Sequence, residues 1–230
     1  MTTIIFSPCT ACKDDEEVIK QGSKVVEPFG YLHNFDLLRN LLDTRKRVFN
    51  IPGVQRGDKT TYAFDLYVRS GKTYNAIYSK HYDSLKRKLL ADDALQWFFL
   101  SGGYGVIHAL EKAKNYQASF IRLPKDKHVP YTGTIWRNAG LHTICDAIIN
   151  RFKPSRIYVF GSRNYSVFVR QAVFDSDNAK VKIFESKGNS GSFWLSPKLE
   201  ALTEAILNGN LDDFDKKHPD KEYKQSHGVS

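Results

Sequence analysis

The sequence predicts an α/β fold in which a mostly parallel central sheet is flanked by helices. Four short runs are rich in β-branched and aromatic residues, and each run ends in small or turn-forming residues. The segments between them repeat apolar residues at the spacing of one helix face. Strands that alternate with helices are typical of a parallel sheet, because each helix carries the chain back to the start of the next strand.

Each of the four predicted strands leads into a loop rich in small or turn-forming residues. The strands are residues 3–6 before SPCTACK, 97–100 before SGGYG, 156–160 before GSRNY and 180–184 before ESKGNSGS. In an open parallel sheet the ligand site lies outside the carboxyl ends of the strands. We therefore expect the four loops to converge on one positively charged cleft, where glycines let backbone N–H groups approach an anion or a planar group.

Helices are predicted between the strands and after the last one. The apolar side chains that share one helix face are Leu141, Ile144, Cys145, Ile148, Ile149 and Phe152, and the segment after GSR repeats this pattern. Ser196 and Pro197 are typical of an N-cap followed by proline in the first turn, and this helix is expected to end at Gly209. Further helices are predicted over 35–49 and 74–91, and the stretch after SGGYG is compatible with a helix.

Length and composition bound the class of protein. The chain has 230 residues, enough for one domain with a full core, and we expect that domain to span residues 1–209. Residues 210–230 are charged and poor in apolar side chains, which predicts a flexible tail. No window approaches the roughly 18 apolar residues of a membrane span. Three cysteines without an export signal favour a reduced, cytoplasmic setting.

The charge balance favours a polyanionic partner. Lysine and arginine number 34 against 25 aspartate and glutamate residues, so the formal net charge is +9. Cations also alternate with aromatic rings along the chain, and such pairs suit phosphates and unpaired bases. We expect DNA rather than a membrane to be the partner. The sequence leaves the oligomeric state open, with a monomer favoured.

The motifs of common cofactors are incomplete. Residues 103–108 read GYGVIH, which lacks the third glycine of a dinucleotide-binding fingerprint. No GxxxxGK[ST] motif occurs, and no histidine spacing is typical of a catalytic metal. Cys9 and Cys12 form a lone CxxC, which leaves a redox pair open beside the simpler interpretation that this loop, with Lys13, holds a phosphate. We expect neither a metal nor another cofactor.

Two carboxylates are candidate catalytic residues. Asp65 lies in the apolar and aromatic stretch YAFDLY, where a carboxylate is costly to bury unless it is hydrogen-bonded or has a function. Glu111 follows SGGYG shortly afterwards and is expected to face the same cleft. A helix or turn cap at Asp65 and a solvated surface position at Glu111 are the structural alternatives.

The sequence resembles the YaaA family of peroxide-stress proteins. Leu100–Val106 is similar to the family's strand followed by [LV]SxxYG[LV], and residues 6–8 are similar to its first strand followed by SP. The lysine that the family places just after SP is matched only if Lys13 substitutes for it. Further similar positions, in chain order, are Asp65-Leu66-Tyr67, Lys72-Thr73-Tyr74, Tyr116, Trp136, Ser162 and Tyr165.

The resemblance, which runs from about residue 3 to 206, implies a cytoplasmic α/β protein with a positively charged cleft that binds DNA. In some members of the family, DNA binding is linked to protection against oxidative damage. The resemblance also marks residues 14–60 as an insertion relative to shorter relatives. The candidate binding residues, taken from the loops and the cation–aromatic pairs, are Ser7, Cys9, Lys13, Tyr67, Arg69, Ser101, Gly102, Gly103, Tyr104, Gly105, Trp136, Arg137, Ser162, Arg163, Asn164, Tyr165, Lys187, Asn189 and Ser190.

The leading hypothesis is an enzyme that acts on a base in DNA, most concretely a DNA glycosylase in repair or in defence against foreign DNA. Cleavage of the N-glycosidic bond requires a carboxylate, here Asp65, and a pocket for a flipped base with Tyr104 or Trp136 as a stacking wall. One alternative is a non-catalytic DNA-binding protein of the peroxide-stress type. Another is an enzyme for a free nucleotide or sugar phosphate.

Overall fold

The computed structural model of the chain describes residues 1–16, 18–121, 128–174, 179–186 and 191–219. It confirms an α/β fold with a five-stranded, mostly parallel central sheet flanked by helices. The strands are β1 (Thr3–Pro8), β2 (Arg56–Tyr62), β3 (Leu95–Ser101), β4 (Gly105–His108), β5 (Lys112–Tyr116), β6 (Arg156–Ser162) and β7 (Lys180–Ser186). The four strands predicted from the sequence are β1, β3, β6 and β7, each extended by a few residues.

The central sheet has the strand order β4-β3-β1-β6-β7. β1 pairs in parallel with β3 and β6, β6 pairs in parallel with β7, and β4 runs antiparallel to β3 at one edge. The carboxyl ends of the four parallel strands therefore meet at one edge of the sheet, as the sequence predicts.

Helices cover both faces of this sheet. They are α1 (Pro28–Tyr31), α2 (Phe35–Phe49), α3 (Ala63–Val68), α4 (Asn75–Ala91), α5 (Gly133–Asn138), α6 (Leu141–Phe152), α7 (Arg163–Phe174), α8 (Gly191–Asn208) and α9 (Leu211–Lys217). A core that contains Ile5 packs α3, α4 and α8 against one face. A second core, with Ile4 and Phe6, packs α2, α6 and α7 against the other. Among the described residues, no helix is both long and apolar enough to cross a membrane.

The prediction for the start of α8 is wrong. The helix begins at Gly191 instead of Ser196, so Pro197 lies inside the helix rather than in its first turn. Leu195, in the part of the helix that precedes the proline, is buried in the core. Its burial in the tertiary structure outweighs the local preference of proline for a helix start.

The stretch after SGGYG is not helical. It forms β4 and β5, and β5 pairs in antiparallel fashion with β2 to make a separate two-stranded ribbon. The hydroxyl of Tyr104 accepts a hydrogen bond from the backbone N–H of Lys114 at 2.7 Å and so ties β5 to the glycine-rich loop. Residues 14–60, expected as an insertion, contain α1, α2 and the first residues of β2.

Part of the predicted flexible tail is a packed helix. The ring of Phe214 in α9 lies 5.6 Å from that of Tyr158 and 5.9 Å from that of Phe184, centroid to centroid. Asp215 accepts hydrogen bonds from Tyr158 at 2.8 Å and from Arg156 at 3.2 Å. The buried ring of Phe214, the partly buried Leu211 and the paired carboxylate of Asp215 thus anchor a segment whose average composition is polar.

We expect Phe214→Ala to lower the free energy of unfolding by about 3 kcal/mol, because the substitution removes a buried ring and leaves a cavity against β6 and β7. Urea unfolding measures this change. The control is Phe35→Ala, whose ring is 72% exposed, and which should change the free energy by less than about 0.5 kcal/mol. Equal stabilities of wild type and Phe214→Ala would show that α9 contributes nothing to the fold.

Candidate functional site

The candidate site lies at the carboxyl edge of the parallel sheet. Pro8 at the end of β1 pairs with Leu100 near the end of β3, and Ser162 at the end of β6 pairs with Ser186 of β7. The chain leaves β1 toward β3 on one side and later returns to β6 on the other, so the topological switch point lies between β1 and β6. Ligands of doubly wound sheets bind at this position.

Six side chains gather at this edge, and we name them the strand-end cluster. They are Cys9, Lys13, Tyr67, Ser101, Tyr116 and Tyr165. Three of the hydroxyls form a closed triangle of hydrogen bonds: Tyr67–Ser101 at 3.0 Å, Tyr67–Tyr116 at 3.1 Å and Ser101–Tyr116 at 2.6 Å. Burial raises the pKa of Tyr67 and Tyr116 well above its ordinary value, so both phenols stay protonated. The triangle therefore fixes the ring of Tyr116 in place.

Lys13 lies on that ring. Its Nζ is 4.1 Å from the centroid of Tyr116 and donates a hydrogen bond to the carbonyl of Ala11 at 3.4 Å. Burial lowers the pKa of Lys13, and the nearby Cys9 and Cys12 oppose this effect only in part. Within the described ranges no ion pair involves Lys13. A lysine with a lowered pKa has a larger neutral fraction, and the neutral amine is a nucleophile or a base.

Tyr165 closes the cluster from the side of β6. Its side chain lies near Cys9, and burial raises the pKa of Tyr165 well above the ordinary value. Arg163 and Asn164, at the start of α7, are exposed beside it, and Ser162 is partly exposed. The expected convergence of the loops after β1, β3 and β6 is therefore present. Lys187, Asn189 and Ser190 lie outside the described residues.

Other predicted binding residues lie elsewhere or face inward. Ser7 is fully buried, and its Oγ accepts a hydrogen bond from Nε1 of Trp97 at 2.7 Å. Arg69 pairs with Asp14 at 3.3 Å, and Arg137 is exposed on α5. These side chains are not part of the strand-end cluster.

The glycines of SGGYG serve packing within the protein. A Cβ on Gly103 would lie 2.7 Å from the ring of Tyr116, and one on Gly102 would lie 2.8 Å from the carbonyl oxygen of Ala118. Gly105 has a φ of +72°, and a Cβ there would meet the ring of Trp136 at 2.5 Å. The expectation that these glycines admit an anion is thus not met, because the protein's own rings and backbone occupy the space.

Tyr104 and Trp136 do not present a stacking wall. They are 4% and 0% exposed. The Nε1–H of Trp136 donates to the carbonyl of Gly102 at 2.8 Å, and the hydroxyl of Tyr104 donates to the carbonyl of Lys114 at 3.2 Å. Both rings support the loop from within, so neither has a face open to a base.

Asp65 faces away from the cluster. Its carboxylate accepts hydrogen bonds from Tyr82 at 2.6 Å and Lys86 at 2.9 Å, both on α4, and the residue is 1% exposed. Tyr67, two residues later on α3, points instead to Ser101. The carboxylate that the sequence predicts as catalytic thus lies in a buried ion pair between two helices.

Glu111 also forms a buried ion pair. Arg45 of α2 donates to Glu111 at 2.5 Å and to the carbonyls of Tyr104 and Val106 at 3.0 and 2.6 Å. The hydroxyl of Tyr31 donates to Glu111 at 2.8 Å. Arg45 is a residue that sequence reasoning missed. The available signal was a cation on the apolar face of helix 35–49, beside Leu41 and Val48.

One group of potential metal ligands lies between α4 and α8. His81, Glu200 and Glu204 bring ligand atoms within 4.8 Å of one another. Lys80 pairs with Glu200 at 2.5 Å, and Nε2 of His81 lies 3.5 Å from Glu204. We assign no metal to the group, because Lys80 already neutralises Glu200 and exposed acidic groups such as Glu204 are common without an ion.

Comparison with known proteins leaves the family open. No family model matches this sequence, and no curated protein is significantly similar to it. The resemblance of Leu100–Val106 to the YaaA signature therefore stays a prediction. A function for the strand-end cluster must therefore be inferred from the side chains that form it.

We expect Glu111→Ala to lower the free energy of unfolding by about 3–5 kcal/mol, because it leaves the guanidinium of Arg45 buried without a countercharge. Guanidinium chloride unfolding followed by tryptophan fluorescence measures the loss. Asp93→Ala is the control, since its ion pair with Lys24 is exposed and should contribute less than about 1 kcal/mol. Similar losses in the two variants would contradict the assigned role of Glu111.

The free energy of unfolding should also depend on pH through the buried side chain of His108. Burial lowers the pKa of His108 to about 3, and the positive charge of Lys24 acts in the same direction. The unfolded chain binds a proton at this residue below about pH 6.5, whereas the native state stays neutral down to about pH 3. The contribution of His108 to the free energy of unfolding is therefore fully present above pH 6.5. It is lost as the pH falls from 6.5 to 3, at about 1.4 kcal/mol per pH unit.

Between pH 7 and pH 5, His108→Gln should lose about 2 kcal/mol less stability than the wild type. Unfolding curves at the two pH values test this, and His33→Gln, at an exposed position, should follow the wild type. The same pH dependence in His108→Gln and wild type would show that His108 does not titrate as the structure indicates.

Proposed function

We propose that the protein is a nucleic-acid-binding enzyme that acts on a base, most concretely a DNA glycosylase that cleaves the N-glycosidic bond at the strand-end cluster. The observation that carries this proposal is Lys13, whose amine lies against the ring of Tyr116 near the carboxyl edge of the sheet with a lowered pKa. We assign the chemical role to Lys13 rather than to Asp65, because the carboxylate of Asp65 is already paired with Lys86. The net charge of +9 supports a polyanionic substrate.

In the proposed reaction the neutral amine of Lys13 attacks C1′ of the target nucleotide. The C1′–N bond breaks with its electron pair moving to the base, which takes up one proton and leaves, while the amine nitrogen gives up one proton. Opening of the sugar ring yields an imine between Lys13 and C1′. Water then hydrolyses the imine, which releases the abasic site and restores Lys13.

The rest of the cluster positions the amine. The hydroxyl triangle holds the ring of Tyr116 beneath Lys13, and contact with the ring fixes the position of the amine. The thiol of Cys9 and the hydroxyl of Tyr165 lie on the side of β6, next to the exposed Arg163 and Asn164. Phosphate groups that flank the target nucleotide would contact the side chains of Arg163 and Asn164.

We expect Lys13→Arg to lower base excision by at least about a hundredfold, because a guanidinium keeps the charge but is not a nucleophile at neutral pH. DNA affinity should be retained for the same reason. The assay incubates duplex and single-stranded oligonucleotides with normal and modified bases, detects abasic sites by alkali, and traps the imine with borohydride. Lys20→Arg, at an exposed position, is the matched control.

Three outcomes separate the candidates. Excision with a borohydride-trapped adduct that Lys13→Arg loses supports the proposal in full. Excision that survives in Lys13→Arg removes Lys13 from the mechanism and leaves a glycosylase that uses water. DNA binding without excision of any base contradicts the enzyme and favours a non-catalytic DNA-binding protein.

A second candidate is an enzyme for a free nucleotide or sugar phosphate. The position of the cluster favours it, since ligands of open α/β sheets bind outside the carboxyl ends of the strands. A protein that contacts several phosphates loses affinity steeply as salt rises. A shallow salt dependence of polynucleotide binding would therefore favour this second candidate.

A further inference from the structure

A cationic groove lies beside the site, and we name it the ribbon groove. It runs between the C-terminal half of α2 and the β2–β5 ribbon and has a volume of about 450 Å³. Four cations and one carboxylate are among its lining residues, with Phe49 and Tyr104 as aromatic members. The cationic lining residues are Arg45, Lys46, Arg56 and Lys112.

The cations of the groove are only partly neutralised. Glu111 is the single carboxylate in the lining, and it is already bound by Arg45. Lys46 has a weak, exposed contact with Asp43 at 3.6 Å. Arg56 and Lys112 are exposed, and neither has an acidic partner anywhere in the ranges that the structure describes. The groove therefore carries a net positive field that attracts anions.

The spacing of the two exposed cations favours a polyanion over a single phosphate. In the ribbon, Arg56 lies opposite Tyr116, and Lys112 lies opposite Tyr62. The two cations are thus four residues apart along the ribbon, about 13 Å at ~3.3 Å per residue. One phosphate group cannot contact both. Successive phosphates of one strand, about 3.4 Å apart along a duplex axis, can.

The groove leads to the strand-end cluster. Tyr116, the ribbon partner of Arg56, carries Lys13 on its ring and contacts Ser101. The guanidinium of Arg56 lies 4.6 Å from the centroid of Phe49, which orients it along the groove floor. A strand that lies on the ribbon would therefore end beside the amine of Lys13.

We propose that the ribbon groove binds the phosphate backbone of a nucleic acid strand and delivers that strand to the strand-end cluster. This inference rests on the proposed function for the identity of the strand. Arg56 and Lys112 make the phosphate contacts. Arg45 supports the floor through its ion pair with Glu111.

The experiment compares wild type with the double variant Arg56→Gln/Lys112→Gln, in which glutamine keeps much of each stem. A labelled oligonucleotide of unmodified sequence, single-stranded or duplex, is titrated by fluorescence anisotropy across a range of salt concentrations. We expect weaker binding for every sequence and a salt slope reduced by about 1 for each residue removed. Lys216→Gln/Lys217→Gln on α9 is the control with the same loss of charge, and it should keep the wild-type slope.

The outcomes keep this inference apart from the proposed function. A reduced slope in the groove variant supports the groove even if no base is ever excised. A wild-type slope in that variant overturns the groove, while excision by the same protein would leave the proposed function in place. Inorganic phosphate at millimolar concentration is the competitor. Displacement of the oligonucleotide by such phosphate, at constant ionic strength, would overturn the polyanion assignment in favour of a single-phosphate site.

Discussion

The buried ion pair between Arg45 and Glu111 is the interaction on which the arrangement around the site depends. Removing two charges from water is costly, and the cost is offset only when the geometry is good and the remaining hydrogen-bonding groups are satisfied. Both conditions hold, because Arg45 also donates to the carbonyls of Tyr104 and Val106, and Glu111 also accepts from Tyr31. The pair therefore fixes α1, α2, the glycine-rich loop and β4 relative to one another, and with them one wall of the ribbon groove.

The sequence predicts the local elements well where each carries its own pattern. The strand of residues 97–100 is continuously apolar, and helix 35–49 matches α2 from its first residue to its last. The ribbon is different, because β2 reads RGDKTTY and β5 reads KAKNY, and neither polar stretch shows a run of alternating apolar residues. Their pairing depends on Tyr104 and on contacts far apart in sequence. Arg45 and Glu111, for example, are 66 residues apart, and no local pattern identifies such a partner.

The candidate catalytic residues Asp65 and Glu111 show the same limit, because a local pattern does not identify a partner that is distant in sequence. A carboxylate in an apolar stretch must be compensated or used, and Asp65 is indeed buried in an ion pair. Glu111 was expected at the cleft or at a solvated surface position, and instead it is buried in an ion pair. The compensating cation comes from a different helix in each case, Lys86 or Arg45. Lys13 differs from the two carboxylates, because its loop is polar and its side chain contacts an aromatic ring rather than an oppositely charged group. The lysine's lowered pKa follows from burial that only the three-dimensional structure reveals.

The groove and the cluster would contribute to catalysis in different ways. In the proposed complex, contacts between Arg56 or Lys112 and phosphates would be the same in the bound substrate and in the transition state, so they would raise affinity without lowering the barrier of the chemical step. In the proposed reaction the bond between Lys13 and C1′ would form only as the base departs, so it would act on the rate alone. Because phosphate contacts do not distinguish sequences, recognition of the base is left to the groups around the amine, the thiol of Cys9 and the hydroxyl of Tyr165. The ribbon holds Arg56 opposite Tyr116, so in this proposal the bound backbone would stay close to the reacting carbon while the two functions remain on separate side chains.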